Sequence, residues 1–243
     1  MAWFFTNSEI TSDAYIIEGE DASHISKSLR MRIGEEITLV TPSQQQADCV
    51  INSISGDQVH LTIRTLKPCE NEPATSVTLY QALPKGDKME YIIQKSVELG
   101  VAKIVPVISA RCISRPDEKS LAKKQSRWQK IAKEAAQQSR RGIIPQVEKA
   151  VTFRQAVQEI SNESAENIIF YECGGESLKK LLADTTPKIN IFIGSEGGFE
   201  PEEVQMIEAQ GGHSATLGKR ILRAETAPLA ALSVIMYQTG NFE

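Results

Sequence analysis

The rhythm of apolar residues changes once along this 243-residue chain, and that change constrains the fold more than any single motif does. After residue 76, strand-like apolar runs alternate with helical periodicities. Val77 to Leu83 reads as a strand, and Asp87, with Glu90 three residues on, opens a helix through Tyr91 to Leu99 that Gly100 stops. Lys103 to Ser109 is the next strand and Leu121 to Ser139 a long helix. Thr152 with Gln155 opens a helix to Ile160; Asn167 to Tyr171 is a strand, Glu176 to Ala183 a helix, and Ile189 to Ile193 a strand. Pro201 starts a helix that ends at Gly211-Gly212, Ser214 to Leu217 is a strand, and Thr226 caps a last apolar helix to Gln238. Such alternation requires a largely parallel sheet covered by helices.

Before residue 76 the rhythm is that of a small β domain. Ala14 to Ile17, Glu36 to Thr41, Ala47 to Ile54 and Gln58 to Leu66 alternate apolar and polar residues. Turns such as Thr41-Pro42-Ser43 and Ser55-Gly56-Asp57 separate them, which predicts an antiparallel sheet or barrel with one helix at Ala22 to Leu29. Lys67 to Thr75, with Pro68 and Pro73, reads as a linker, so the expected domains are 1–72 and 73–243.

Several function classes fall away. The first residues carry no basic leader, and the longest nearly apolar stretch, Ala227 to Tyr237, is 11 residues, against roughly 20 for a membrane helix; no membrane association is expected. Cys49, Cys69, Cys112 and Cys173 form no C-x-x-C pair and there are three histidines, so neither a metal site nor a disulfide framework is expected, and a reducing cytoplasm is the natural setting. Neither G-x-S-x-G nor H-E-x-x-H is present, His24 and His60 belong to the β domain as structural or, for His24, RNA-facing residues, and His213, near the loops, falls where a helix-to-strand turn is expected, so hydrolytic and histidine-based mechanisms are disfavoured.

The net charge of −4 conceals an asymmetry: residues 111–150 carry eleven basic side chains against four acidic ones. That stretch is either a solvated helix face or a phosphate-binding surface. Two loops concentrate the chemistry. In Ile191-Phe192-Ile193-Gly194-Ser195-Glu196-Gly197-Gly198-Phe199-Glu200-Pro201 a buried-type strand delivers a glycine turn to a helix. Glycines there let backbone N–H groups approach a ligand, although the same residues also suit a plain tight turn. It is neither a dinucleotide fingerprint nor a phosphate loop, and Glu196 would repel a phosphate. The second loop, Leu217-Gly218-Lys219-Arg220-Ile221-Leu222-Arg223-Ala224-Glu225-Thr226, joins a glycine, three cations and an acid ahead of a helix. Its charges suit either solvent exposure or the second wall of the same cleft.

The strings IGSEGGFEPEE and LGKRILRAETAPLAAL, preceded by LPKGDKMEYIIQKSVELGV and RWQKIAKEAAQQSRR, with HISKSLRMRIGEEI at the front, closely resemble the RsmE family over essentially the whole chain. Members of that family methylate N3 of a uridine in the 16S RNA of the small ribosomal subunit. One departure is Ser195, where the family usually has proline. The resemblance implies an N-terminal PUA-like β-barrel, a C-terminal SPOUT-type α/β domain with a deep trefoil knot, S-adenosyl-L-methionine as cofactor, a homodimer, and no metal. It places the cofactor against Tyr171, Glu172, Ile193, Gly194, Glu196, Gly197, Gly198, Leu217, Gly218, Ile221 and Leu222. Arg223 is expected to orient the uracil or stabilise its anion, and Glu225 or Glu196 to order the loops, with a carboxylate base left open. Lys27, Arg30, Arg32, Arg111, Arg115, Arg140 and Arg141 become candidates for RNA phosphate contacts. A different RNA target, or a non-catalytic binding protein with a relic pocket, are the alternatives; the Gly-Gly pair, Arg223 and Glu225 speak against the relic.

Overall fold

The computed structural model describes residues 2–182 and 187–242. The chain forms two compact units, Met1–Glu72 with Ala136–Ile144, and Pro73–Ala135 with Pro145–Glu243.

In the first unit, β1 (Ala2–Phe5), β2 (Ala14–Glu18), β3 (Glu36–Val40), β4 (Gln45–Ser55) and β5 (Gln58–Pro68) form one sheet in the order β1-β3-β4-β5-β2. The expectation of an antiparallel arrangement needs correction at one place, because β1 runs parallel to β3. The chain between them is long enough for that crossover, since it also makes β2 and the helical segment. Register shifts in β4 at Asp48/Cys49 and Ile51/Ser53 add twist. No ladder joins β1 to β2 among the described residues, so the expected barrel is an open sheet. It curls nonetheless, because Phe4 and Phe5 of β1 share one small cavity with Tyr15, Ile16 and Ile17 of β2. Phe4, Ile17, Ile25, Ile37, Leu39, Ile51 and Leu61 fill the interior. The helix begins three residues earlier than expected, as α1 (Gly19–Ser23), and continues in a π-type turn over His24–Ser28.

Residues 136–144 belong to this unit for an electrostatic reason. Arg141 is buried, and its Nε and Nη2 donate to the Glu72 carboxylate at 2.9 and 2.6 Å, which also accepts the backbone N–H groups of Gly142 and Ile143. Trp3 Nε1 donates to the Arg141 carbonyl at 2.9 Å. The linker expected over 67–75 is therefore partly structure: Lys67 and Pro68 end β5, and Glu72 is a buried-pair partner.

The second unit is the parallel sheet that the alternation requires. Its strands are β6 (Ser76–Ala82), β7 (Lys103–Ile108), β8 (Gln146–Val147), β9 (Val151–Thr152), β10 (Glu166–Phe170), β11 (Glu176–Ser177), β12 (Lys188–Ile193) and β13 (His213–Thr216). The order is β11-β13-β10-β12-β6-β7-β8, with β9 also on β7, and every pairing is parallel. Buried on both faces, β12 reads as a continuous apolar run; Phe192 stacks on Tyr80 of β6 at 4.4 Å. The one polar interruption is self-satisfied, since Asn190 Nδ2 donates to Asn167 Oδ1 of β10 at 2.9 Å.

The helices are α2 (Lys88–Glu98), α3 (Glu118–Gln138), α4 (Phe153–Ile160), α5 (Leu178–Leu181), α6 (Pro201–Glu208) and α7 (Ala227–Gln238). Thr152 and Gln155 make the expected capping box on α4. Asp87 and Thr226 hold N-cap positions, but neither side chain makes a capping bond. The helix expected over Glu176 to Ala183 is instead a two-residue strand followed by α5; Ala183 lies outside the described residues. Pairing of Glu176 and Ser177 with β13 outcompetes a helical start there. No helix among the described residues is long and apolar enough to cross a membrane.

Candidate functional site

Three loops leave the carboxyl ends of the adjacent strands β13, β10 and β12, which is where open parallel sheets bind ligands. Together with the start of α2 they enclose a cavity of about 840 Å³. Its walls are Tyr171, Glu172 and Cys173 after β10, Gly194 to Gly198 after β12, and Leu217 to Ala224 after β13. Every residue expected at the cofactor lies on this cavity: Tyr171, Glu172, Ile193, Gly194, Glu196, Gly197, Gly198, Leu217, Gly218, Ile221 and Leu222, and Arg223 joins them. Ile193 is buried at its floor, whereas Ile221 is 86% exposed and stands at its mouth.

The glycine turn owes its shape to two close approaches. Gly198 has φ +68° and donates its N–H to the Ser195 carbonyl at 3.0 Å. A Cβ on Gly198 would stand 2.4 Å from Glu172 Oε1, and one on Gly194 would stand 2.9 Å from Gly198 Cα. Gly198 is therefore demanded by its backbone and Gly194 by space, since the Glu172 carboxylate can swing away from the first but the Gly198 backbone cannot from the second. Ser195, where the resembled family usually has proline, is buried and accepts the Gly198 N–H through its backbone carbonyl, a bond that proline would also make.

The turn is held from outside by side chains that a linear reading does not connect. Arg111, in the loop after β7, donates from Nη1 to the Gly197 carbonyl at 2.9 Å and forks onto Glu200 through Nε and Nη2, both at 3.0 Å; Glu172 Oε1 is 3.6 Å away. The buried Glu203 accepts N–H bonds from Ala110 and Glu200, each at 2.9 Å, tying the same loop to the start of α6. On the other side Lys88 Nζ stands 2.9 Å from Glu196 Oε1 and 3.0 Å from Glu225 Oε2. The backbone N–H of Lys85 also donates to Glu196. Burial alone would push Glu196 up, but hydrogen bonds from Lys88 and from backbone N–H groups outweigh it and hold the carboxyl below its ordinary value. Glu225 is likewise held low, first by its own backbone N–H and then by Lys88. Both carboxylates are thus held as anions at neutral pH.

The expected RNA contacts divide. Lys27, Arg30 and Arg32 are exposed around the π-type turn and the segment after it, and Arg140 is exposed as well. Arg141 is not available to a phosphate, since it is buried on Glu72. Arg111 is spent on the glycine turn, and Arg115 directs Nη2 and Nε at the carbonyls of Ala110 and Cys112 while remaining exposed. Sequence reasoning missed Lys88 and Glu203 as site residues; the motif strings contained both, but nothing local distinguishes them from surface charges. Among the described residues no cluster of three metal-ligating side chains is present.

Glycine loops at the carboxyl ends of a parallel sheet thus wall a ligand cavity, in a chain that also carries a separate β unit. The family model for the RNA methyltransferase domain matches residues 70–236, and that for the RNA methyltransferase PUA domain matches residues 17–64. Ribosomal RNA small subunit methyltransferase E of Bacillus subtilis is 38% identical over 231 residues, covering 93% of this chain and 90% of that protein. The protein of that name from Mycobacterium bovis is 27% identical over 237 residues, covering 96% and 90%. The crystal structure of a ribosomal RNA small subunit methyltransferase E from Neisseria gonorrhoeae bound to S-adenosyl methionine superimposes with a TM-score of 0.87 at 32% identity, covering 98% of this chain and 97% of that one. This chain belongs to the ribosomal RNA small subunit methyltransferase E family.

Proposed function

We propose that this protein methylates N3 of one uridine in the 16S RNA of the small ribosomal subunit, using S-adenosyl-L-methionine. The observation that carries the reading is the cavity itself: an apolar floor at Ile193 beneath three loops whose glycines bring backbone donors and acceptors to its surface. That composition fits a bent nucleoside with a polar tail, as the relative from Neisseria gonorrhoeae is described with S-adenosyl methionine bound. Tyr171, Glu172, Gly194, Glu196, Gly197, Gly198, Leu217, Gly218 and Leu222 would hold it. When bound, the cofactor supplies a methyl group activated on a sulfonium.

The protein has three tasks in this reaction. It must position uracil N3 in line with the methyl, let the N3 proton pass to solvent, and stabilise the charge left on the base. That charge spreads onto the two flanking carbonyl oxygens. Arg223, an exposed cation on the cavity wall, is placed to donate to them. Glu196 and Glu225 are held ionised on Lys88, which supports loop ordering for both rather than proton transfer. Lys27, Arg30, Arg32 and Arg140 would meet RNA phosphates, and the target base would be unpaired or flipped. The reading includes a homodimer, supported by Val234 and Tyr237, which α7 leaves exposed. It includes a trefoil knot, supported by the place of β13 between β10 and β11, from which the loop 217–226 leaves inside the sheet.

Small subunits from cells lacking this gene, incubated with the purified protein and S-adenosylmethionine, should gain N3-methyluridine at one site by mass-spectrometric nucleoside analysis. Methylation at another position would change the substrate, and cofactor binding without any product would refute the reading.

A further inference from the structure

We propose that Lys88 is a positioning residue: its ammonium group clamps the glycine loop to the loop that carries Arg223, and so fixes the two walls of the cofactor cavity at their working separation. The inference rests on the cofactor assignment above. Lys88 is the first residue of α2, and it lines the cavity. Its Nζ reaches Glu196 Oε1 at 2.9 Å and Glu225 Oε2 at 3.0 Å. Glu196 lies in the turn after β12, while Glu225 lies two residues beyond Arg223 on the segment after β13. Arg111 holds the glycine turn on its other side, and the cation that bridges Glu196 and Glu225 ties that turn to the segment that carries Arg223.

Charge strengthens the argument. Without the ammonium, two carboxylates held near one point would repel each other, and the walls would separate. The side chains of Lys88, Glu196 and Glu225 are between 25% and 31% exposed, so solvent and salt weaken this attraction without abolishing it. The Lys85 N–H adds a second, backbone donor to Glu196. The ammonium carries the effect rather than the aliphatic stem.

The test is calorimetric titration of S-adenosylmethionine into the full-length protein. K88M should weaken binding roughly tenfold, with RNA affinity and melting temperature close to wild type. K88R retains the cation and should recover most of the loss. In the K88M background, E225Q removes the repulsion without touching Glu196 on the cavity wall, and should recover part of the loss, which loss of the stem alone would not allow. E225Q by itself keeps Lys88 on Glu196 and should weaken binding by roughly threefold; this variant decides the question if K88M does not fold. Wild-type affinity in K88M and E225Q, or no recovery from E225Q in the K88M background, overturns the clamp. Failure of the wild type to bind S-adenosylmethionine overturns the cofactor assignment instead, and the clamp with it.

Discussion

Gly198→Ala tests whether the glycine turn is a cofactor wall or only a bend. Gly198 has φ +68°, a conformation that costs an alanine about 1–2 kcal/mol. The new Cβ would stand 2.4 Å from Glu172 Oε1 and 2.7 Å from Oε2. A carboxylate at the end of a flexible side chain can swing away, so this second cost is small, but the swing removes Glu172 from the neighbourhood of Arg111. The total, about 1–2 kcal/mol, corresponds to a factor of roughly 5–30. It appears as lost folding stability if the turn keeps its shape, and as lost cofactor affinity if the turn relaxes. Gly211→Ala is the matched control: φ is +77°, with nothing within 4 Å of the added Cβ, and the residue follows α6 away from the cavity. Calorimetric titration and thermal melting on both variants separate the outcomes. We expect Gly211→Ala to lose stability with unchanged cofactor affinity, and Gly198→Ala to lose affinity. Unchanged affinity and stability in Gly198→Ala would refute the reasoning, because the turn could not then be held as described.

Replacing Glu72 with Gln should destabilise the first unit by about 3–5 kcal/mol, since it removes the carboxylate onto which the Arg141 guanidinium, 4% exposed, is forked; denaturant unfolding measures this, and a much smaller loss would contradict the burial of the pair. Alanine at Lys27, Arg30 or Arg32 should reduce the salt dependence of RNA binding by roughly 0.7–0.9 in log–log slope for each phosphate that is no longer neutralised, whereas Arg141→Ala should act through folding and leave that slope unchanged. The Lys88 junction also sets a pH window. Glu196 and Glu225 are held below 4.5, so their contribution is complete above that value and lost as pH falls through their lower folded values; Lys88 is raised above 10.5, first by Glu196 and then by Glu225, so its contribution is complete below 10.5 and lost above it. Cofactor affinity should therefore stay level as pH falls from neutral to about 4.5 and decline only below it; a decline that sets in well above that value would mean that burial rather than Lys88 governs one of the two acids.

The sequence by itself determined what nearest neighbours along the chain decide. The alternation of apolar runs yielded the parallel sheet, Thr152 with Gln155 marked a helix start, and Pro201 another, because propensity, capping and periodicity act within a few residues. The two loops were legible as one cleft because glycines and charges cluster at predicted strand ends. Tertiary structure alone decided which charges meet. Lys88 finds Glu196 across 108 positions, and Arg111 finds Glu200 across 89. Arg141, one of a run of basic residues, is withdrawn from the surface by Glu72 across 69 positions. The local sequence around each is indistinguishable from a solvated charge run. Whether a charge faces water, a ligand or an opposite charge depends on which distant segment the folded sheet brings beside it, and Coulomb attraction acts on that distance in space rather than on separation along the chain.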